Sequence, residues 1–190
     1  MGRCLLPMDI NVNNRVVFTG GPGSGKSSVI EFLKGLGYPV APEVGRKVIR
    51  AEIESQGTAL PWCDKVAFRD RMVLEDVVNY QCDGCANLTF YDRGIIDSYG
   101  YSLLEKIPVS DLLLYKCLEL TYNPKVFIFP PWESIYKNDS ERKQDFYEAV
   151  ATYHEMVGAY QKFGYELIDV PKVTVKERAD FILTELEQSD

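Results

Sequence analysis

The stretch GGPGSGKSS at 20–28 constrains this chain more than any other feature of its sequence. It follows the apolar run RVVFT and precedes the amphipathic run VIEFLKGL, so a strand leads into the loop and a helix leads out. Gly20, Gly25, Lys26 and Ser27 satisfy the pattern G-x-x-x-x-G-K-[ST] of a phosphate-binding loop. Glycines let consecutive backbone N–H groups turn inward, and the helix N-terminus adds a positive dipole. The stretch therefore predicts a binding site for nucleotide phosphates.

Each polar group of this loop has an expected ligand. Lys26 is expected to reach the β- and γ-phosphates of ATP, and the Ser27 hydroxyl is expected to bind Mg²⁺. ATP and Mg²⁺ are therefore the predicted cofactors. The residues expected to contact the nucleotide are Gly20, Gly21, Pro22, Gly23, Ser24, Gly25, Lys26, Ser27 and Ser28.

Five short apolar segments alternate with helical patterns along the chain. They lie at 15–20, 38–41, 87–92, 125–130 and 165–170. This alternation predicts an α/β fold, a three-layer sandwich in which helices cover both faces of a five-stranded parallel sheet, as in P-loop NTPases. No linker divides the chain, so we expect a flexible N-terminus at 1–14 and a single nucleotide-binding domain at 15–190.

Composition and charge limit the class of partner. The chain has 190 residues, of which 46% are hydrophobic, enough to form a buried core. Its formal charge of -7 repels nucleic acid and anionic membranes, so neither is an expected partner. No apolar run is long enough to span a membrane, and five cysteines, an odd number with no export signal, indicate reduced thiols. We expect a cytoplasmic protein, and these features predict no oligomeric state.

Asp92 ends the apolar segment LTFYD, where the magnesium-binding aspartate of a P-loop protein would lie. Asp92 and Ser27 are therefore the predicted metal ligands. In a second interpretation Asp92 caps a helix that begins at Gly94. Its neighbour is Arg93 rather than an acid, which disfavours a mechanical ATPase, and no N-K-x-D motif for guanine occurs.

Four segments resemble a known family: VVFTGGPGSGKSSVIEFLKGLGYPVAPEVGRKVI, FYDRGIIDSYGY, FIFPPWESIYKNDSERKQDFYEAV and YELIDVPKVTVKERADFIL. They cover most of the chain and are similar to the NadR-like AAA domain family of P-loop proteins, which itself resembles nucleoside and nucleotide kinases. The resemblance implies a kinase-like fold with the Asp92 strand beside the phosphate-loop strand. It also implies adenine binding near the last strand-to-helix loop, at Pro171, and a lid of basic residues at about 131–143.

Charged residues after the second and third strands are the predicted acceptor site. Glu43 and Arg46 follow the segment 38–41, at the edge of the sheet where α/β proteins bind ligands. By resemblance to nucleoside kinases, Glu43 is the candidate base that accepts the hydroxyl proton, with Arg46 and Arg93 assigned to substrate binding. The alternative is a solvated face on which Glu43 pairs with Arg46 or Lys47.

Two further residues complete the predicted acceptor site. Arg69 either extends to solvent or enters the cleft to meet a substrate anion. Asp97 either bonds to a sugar hydroxyl, as matching positions do in similar kinases, or lies on the surface. The apolar stripe that Arg69 borders comprises Trp62, Val66, Val73, Val77 and Tyr80.

Arg142 is the predicted catalytic residue of the lid. A helical pattern at about 140–163, capped within 138–140, places Arg142 in the first turn, where a cation opposes the helix dipole. Contact with the transferring phosphate would explain this placement. The alternative is a solvated ion-pair face with Glu141 and Asp145.

Together these residues predict phosphoryl transfer from MgATP to a nucleoside, a nucleotide or a related metabolite. The alternative function is a regulatory ATP- or GTP-binding module that hydrolyses slowly and acts through a protein partner. The expected catalytic residues are Lys26, Glu43, Asp92 and Arg142.

Overall fold

The computed structural model describes residues 13–82, 87–136 and 145–188. The strands are β1 (Arg15–Gly20), β2 (Val40–Ala41), β3 (Thr89–Asp92), β4 (Lys125–Phe129) and β5 (Glu166–Asp169). The helices are α1 (Lys26–Gly35), α2 (Val44–Ser55), α3 (Lys65–Cys82), α4 (Ile95–Leu104), α5 (Asp111–Glu119), α6 (Phe146–Lys162) and α7 (Val175–Glu187). A 3₁₀ turn, Glu133–Ile135, follows β4. Of the helices described, none is long and apolar enough to cross a membrane.

The five strands form one parallel sheet in the order β2-β3-β1-β4-β5. The central strand β1 pairs with β3 on one side and β4 on the other, so that Phe18 lies opposite both Asp92 and Phe127. The predicted five-stranded parallel sheet is confirmed. The strand that ends at Asp92 lies beside the phosphate-loop strand, as the family resemblance implied.

Alternating side chains of β1 enter two separate cores. Val16 and Phe18 pack with residues of α1 and α7 on one face of the sheet, whereas Val17 packs with residues of α4, α5 and α6 on the other. The Phe18 ring lies 5.2 Å from that of Phe90 and 5.3 Å from that of Phe129. Such aromatic pairs contribute about 0.5–1.5 kcal/mol each beyond their buried area. Helices on both faces confirm the predicted three-layer sandwich.

Residues 13 and 14 precede β1. The predicted flexible N-terminus, 1–14, lies outside the described residues except for its last two positions, which are hydrogen-bonded to the sheet and its loops. The backbone carbonyl of Asn14 accepts a hydrogen bond from Thr89 N at 2.8 Å, and that of Asn13 accepts one from Asn123 Nδ2 at 3.1 Å. Strand β3 and the loop before β4 therefore hold the backbone carbonyls of residues 13 and 14, and the domain bounds of 1–14 and 15–190 stay predictions.

Two helix starts test the capping predictions. The capping box of Thr174 and Glu177 is present, so the predicted start of the last helix is confirmed. Helix α6 begins at Phe146 rather than near 140, and the cap predicted within 138–140 is wrong. The reason is a second capping box, in which the Asp145 side chain accepts from Glu148 N at 2.9 Å and Glu148 accepts from Asp145 N at 2.8 Å.

Candidate functional site

The phosphate loop turns sharply at the carboxyl end of β1. Gly20 has a φ of 122° and Gly25, the N-cap of α1, has a φ of 84°, both in the region that side chains disfavour. A Cβ atom at Gly20 would lie 2.5 Å from the Phe129 carbonyl oxygen, and one at Gly25 would lie 2.6 Å from Nη1 of Arg178. These glycines form a narrow cradle at the N-terminus of α1, which fits a nucleotide phosphate.

Lys26 is held inside this cradle. Its Nζ donates hydrogen bonds to the carbonyls of Gly20 at 3.1 Å and Gly21 at 2.8 Å, and to Oγ of Ser24 at 3.3 Å. The residue is only 6% exposed. The loop backbone therefore orients the ammonium group before any phosphate binds, as the predicted role of Lys26 requires.

The two predicted metal ligands lie on neighbouring elements. Ser27 is the second residue of α1, and Asp92 is the last residue of β3, which pairs with β1. Hydroxyl and carboxylate oxygens suit Mg²⁺, which usually binds one or two protein ligands together with substrate phosphates. The N-cap of α4 is Gly94, and Asp97 supplies the carboxylate of its capping box. The alternative in which Asp92 caps this helix is therefore wrong.

A cavity of about 460 Å³ adjoins the phosphate loop. It is bordered by Pro22 of the loop and by three predicted acceptor-site residues, Glu43, Arg93 and Asp97. Apolar side chains of α2, α3 and α4 form much of the remaining wall. The structure thus brings the loop and these three charged residues to one chamber, large enough for a small metabolite.

Arg93 links two carboxylates across the cavity wall. Its Nε donates to Glu43 Oε1 at 3.3 Å and its Nη1 donates to Asp97 Oδ1 at 3.0 Å. Burial alone would lower the pKa of Arg93, but the charges of Asp97, Glu43 and Asp92 outweigh burial and raise it. Arg93 has a φ of 72°, which costs about 1–3 kcal/mol for a residue other than glycine. Its ion pairs hold this strained turn in place.

Glu43 lies immediately before α2 and is partly enclosed. Its carboxylate accepts from Arg46 Nε at 3.2 Å as well as from Arg93, and its side chain is 11% exposed. Lys47 instead pairs with Glu75 at 2.6 Å. The alternative considered for Glu43, a solvated face on which it pairs with Arg46 or Lys47, is therefore correct for the pairing with Arg46. It is wrong for the exposure, because the Glu43 side chain is mostly buried. Arg46 is half-exposed and does not line the cavity.

Asp97 is a buried hydrogen-bond centre. Its Oδ1 accepts from Thr19 Oγ1 at 2.7 Å and from Arg93, and its Oδ2 accepts from Gly94 N at 3.1 Å and Tyr160 OH at 2.6 Å. These four bonds match the acceptor capacity of a carboxylate. The surface position considered for Asp97 is wrong, and its engaged oxygens suit the positioning of Arg93 better than contact with a sugar.

Arg69 does not line the cavity. It is 1% exposed, and its guanidinium donates to Asp70 Oδ1 at 2.6 Å, Ser102 Oγ at 2.8 Å and the Pro108 carbonyl at 2.9 Å. Neither the solvent-exposed nor the cleft position expected for Arg69 is therefore correct. Of the expected stripe, Val73 is buried, and Val77 and Tyr80 pack against the core, whereas Trp62 and Val66 are exposed. The stripe omitted Phe68 and Met72, which are also buried on α3. Arg69 points between α4 and the loop before α5.

The described part of the predicted lid, 131–136, lies against the phosphate loop. A Cβ atom at Gly23 would lie 2.5 Å from Cδ2 of Tyr136, so this ring covers the loop glycine. The remainder of the lid, with Arg142, lies outside the described residues. Pro171 lies in the loop between β5 and α7, and its contact with adenine stays a prediction.

Arg178 was absent from the sequence-based predictions. It lies on the buried face of α7 with Ala179 and Ile182 and is 4% exposed. Its Nη1 donates to the carbonyls of Ser24 at 3.4 Å and Gly25 at 3.3 Å. No carboxylate in the described residues pairs with it, and burial lowers its pKa. The sequence did contain a signal for this position. Arg178 lies four residues before Ile182, so helical spacing places its charge on the apolar face of α7.

We expect substitution of Arg178 to weaken ATP binding. Hydrogen bonds from a charged group are worth about 1.5–3 kcal/mol, so Arg178→Ala should lower ATP affinity about tenfold or more by releasing the loop carbonyls. Arg178→Lys should restore only part of the affinity, because lysine lacks the planar fork. Calorimetry with ATP measures the effect, and thermal unfolding checks the fold. Parent-like affinity in Arg178→Ala would contradict this role.

Asp76 is a second residue that the sequence did not single out. It lies on α3, lines the cavity and is 5% exposed. Burial raises the pKa of Asp76 well above its usual value, the charge of Asp97 raises it further, and a hydrogen bond from Ser98 opposes them. A spacing of four residues from Met72 and eight from Phe68 was the signal for a carboxyl on this buried face.

Comparison with known families gives a match over most of the chain. A family model described as an AAA domain matches residues 15–178. Comparison with curated protein sequences gives no match.

Solved structures share the fold at low sequence identity. NadR protein in complex with NR aligns with a TM-score of 0.70 and 16% identity, over 93% of this chain and 51% of that chain. Deoxyadenosine kinase from M. mycoides, with products dCMP and a flexible dCDP bound, aligns with a TM-score of 0.58 and 12% identity. The alignment covers 92% of this chain and 99% of the kinase chain. Thymidylate kinase from Candida albicans aligns with a TM-score of 0.59 and 14% identity, over 92% of this chain and 91% of the kinase chain. This chain thus spans about half of the NadR chain, and the likeness establishes a P-loop kinase fold.

Proposed function

Because this chain belongs to the AAA domain family and is NadR-like, with the fold of P-loop kinases, we propose that it transfers the γ-phosphate of MgATP to a small-molecule acceptor. The acceptor is a nucleoside, a nucleotide or a related metabolite. The observation that carries this proposal is the cavity that extends from Pro22 of the phosphate loop to Glu43. A donor loop and a cavity for the acceptor side by side are what direct transfer between two substrates needs.

Each site residue has a separate role in the proposed reaction. Lys26 and the loop backbone hold the ATP phosphates, and Ser27 and Asp92 hold Mg²⁺, which when bound neutralises charge on the β- and γ-phosphates. The acceptor hydroxyl oxygen bonds to the γ-phosphorus, the bond to the β–γ bridging oxygen breaks, and Glu43 accepts the hydroxyl proton. Arg93 orients Glu43 through the 3.3 Å contact. Arg142 remains the predicted lid residue for the transferring phosphate.

A regulatory module that binds ATP or GTP is the other function class. Such a module needs the phosphate loop but no acceptor cavity beside it. The cavity next to Pro22 therefore favours transfer to an acceptor over slow hydrolysis alone.

An acceptor panel tests the proposal. The protein is incubated with MgATP and with nucleosides, nucleotides and ribosylated pyridines, and ADP release is measured against a blank without acceptor. We expect at least one acceptor to multiply the rate and to appear phosphorylated by mass spectrometry. ADP release that no acceptor increases would contradict the kinase and support the regulatory module.

Glu43→Gln is expected to lower acceptor-dependent turnover about 10²-fold, the usual contribution of a general base. Glutamine keeps the size of the side chain but cannot accept the hydroxyl proton. ATP affinity should change little, because the nucleotide phosphates lie at the loop. Glu54→Gln is the matched control, since Glu54 is an exposed residue of the same helix. Equal turnover in Glu43→Gln and Glu54→Gln would remove Glu43 from the mechanism.

A further inference from the structure

Asp97 pairs with Arg93 through only one of its two oxygens. A guanidinium and a carboxylate often form two parallel hydrogen bonds, from two nitrogens to both oxygens. Among the described residues, Arg93 instead makes one hydrogen bond to Asp97, from Nη1 to Oδ1 at 3.0 Å, and its Nε donates to Glu43 Oε1 at 3.3 Å. The guanidinium is therefore shared between two carboxylates rather than held by one.

Neutral donors occupy the other acceptor positions of Asp97. Its Oδ1 also accepts from Thr19 Oγ1 at 2.7 Å, and its Oδ2 accepts from Tyr160 OH at 2.6 Å and from Gly94 N at 3.1 Å. A carboxylate has about four acceptor positions, so these three bonds leave one for Arg93. Burial and the charge of Asp97 raise the pKa of Tyr160 well above its usual value, so the hydroxyl keeps the proton that it donates.

The two side-chain donors come from different layers of the fold. Thr19 is fully buried on β1 and immediately precedes Gly20, where the phosphate loop begins. Tyr160 is fully buried on α6, and neither residue lines the cavity. The carbonyl of Phe18, the residue before Thr19, accepts a hydrogen bond from Arg93 N at 3.0 Å. The position of Arg93 therefore depends both on the strand that leads into the phosphate loop and on α6.

We propose that Tyr160 and Thr19 are positioning residues for the proposed base. By occupying Asp97, they prevent Arg93 from pairing with both of its oxygens, so that Nε stays on Glu43 and holds the carboxylate toward the acceptor hydroxyl. Because Thr19 is continuous with the phosphate loop, the same contacts fix the base relative to the donor site, as transfer between two bound substrates requires. This inference rests on the proposed function, since it assigns the residues that orient Glu43 in the same reaction.

Tyr160→Phe tests the proposal, because it removes the hydroxyl alone and frees Oδ2 of Asp97. Arg93 should then pair with both oxygens of Asp97 and release Glu43. We expect kcat with the acceptor from the panel to fall about tenfold or more, since misplacing a catalytic group by about 1 Å can cost about 10²-fold. ATP affinity, measured by calorimetry, should not change, because the phosphate loop keeps its own contacts.

Two comparisons separate positioning from stability. Tyr153→Phe makes the same change seven residues earlier on α6, where the hydroxyl donates to Asp169 Oδ1 at 2.8 Å, and it should keep the turnover of the parent. Thr19→Val should lower kcat as Tyr160→Phe does, whereas Thr19→Ser, which keeps a hydroxyl, should restore it. A folded Tyr160→Phe protein with the turnover of Tyr153→Phe, or a Thr19→Ser protein no better than Thr19→Val, would overturn the proposal.

An NMR measurement without substrates tests the same contacts independently of turnover. The Nε–H signal of Arg93, identified by its loss in Arg93→Lys, should shift when Glu43→Gln is introduced into the parent. In the Tyr160→Phe background, Glu43→Gln should leave this signal unchanged, because Nε no longer contacts the side chain at position 43. An equal shift in both backgrounds would show that Tyr160 does not hold Arg93 on Glu43.

Failure of the inference and failure of the proposed function give different results. If an acceptor is phosphorylated but Tyr160→Phe changes neither kcat nor the Arg93 signal, the kinase stands and the positioning role is wrong. If no acceptor is phosphorylated but the Arg93 signal responds as expected, Tyr160 keeps its role in orienting Glu43 and the kinase is wrong.

Discussion

Lys26→Ala is expected to abolish tight ATP binding and to lower turnover about 10²–10³-fold, the loss typical for removing one preorganised donor from developing negative charge. The ammonium group of Lys26 is buried and held by the carbonyls of Gly20 and Gly21. Alanine removes both the charge and these contacts. Calorimetry with ATP measures the lost affinity, and ADP release with the acceptor from the panel measures the lost rate.

The fold must be checked separately, because Lys26 also stabilises the loop. Thermal unfolding compares the variant with the parent, and Lys34→Ala is the matched control, since Lys34 is an exposed lysine in the last turn of the same helix. Lys26→Arg keeps the charge but is not expected to restore binding, because the planar guanidinium is larger than the ammonium that the cradle holds. A folded Lys26→Ala protein with parent-like ATP affinity would disprove the phosphate site.

Asp92→Asn is expected to lower Mg²⁺-dependent turnover about 10³-fold, because the metal ion supplies several kcal/mol of charge stabilisation in phosphoryl transfer. Asparagine has the size of aspartate but lacks the charge that holds the ion. ATP binding without Mg²⁺ should change little. We therefore expect Asp92→Asn to cause a large loss of Mg²⁺-dependent turnover and only a small loss of ATP affinity without Mg²⁺.

The measurement is a Mg²⁺ titration of turnover together with calorimetry of ATP with and without the ion. Asp180→Asn is the control, because Asp180 is an exposed residue of α7 whose partner is Lys176. Equal losses of ATP affinity with and without Mg²⁺ would refute the metal role and indicate that Asp92 acts on the nucleotide or on the fold.

The least successful sequence predictions concern charged residues on helices. The apolar stripe proposed for α3 omitted Phe68 and Met72, so Arg69 was expected near solvent or the cleft, although Ser102 and the Pro108 carbonyl hold it elsewhere. The same choice of stripe hid Asp76. Helical periodicity places residues on a face, but it does not identify which neighbouring element that face contacts.

The sequence by itself determined the phosphate loop, the five strands and the capping box at Thr174 and Glu177. Each depends on residues a few positions apart, because a glycine turn, an alternating strand and a helix cap are local structures. The start of α6 shows the limit of this reasoning, since two acceptable caps lay close together and Asp145 was the one used.

Only the tertiary structure decided which charged groups surround the cavity. Arg93 meets Glu43 across 50 positions of sequence, Tyr160 meets Asp97 across 63, and Arg178 reaches Ser24 across 154. Whether a buried carboxylate has spare acceptor capacity depends on such distant donors, which no local pattern encodes. The sequence could therefore indicate a phosphate-binding loop, whereas the acidic character of the neighbouring cavity emerges only when helices and strands pack together.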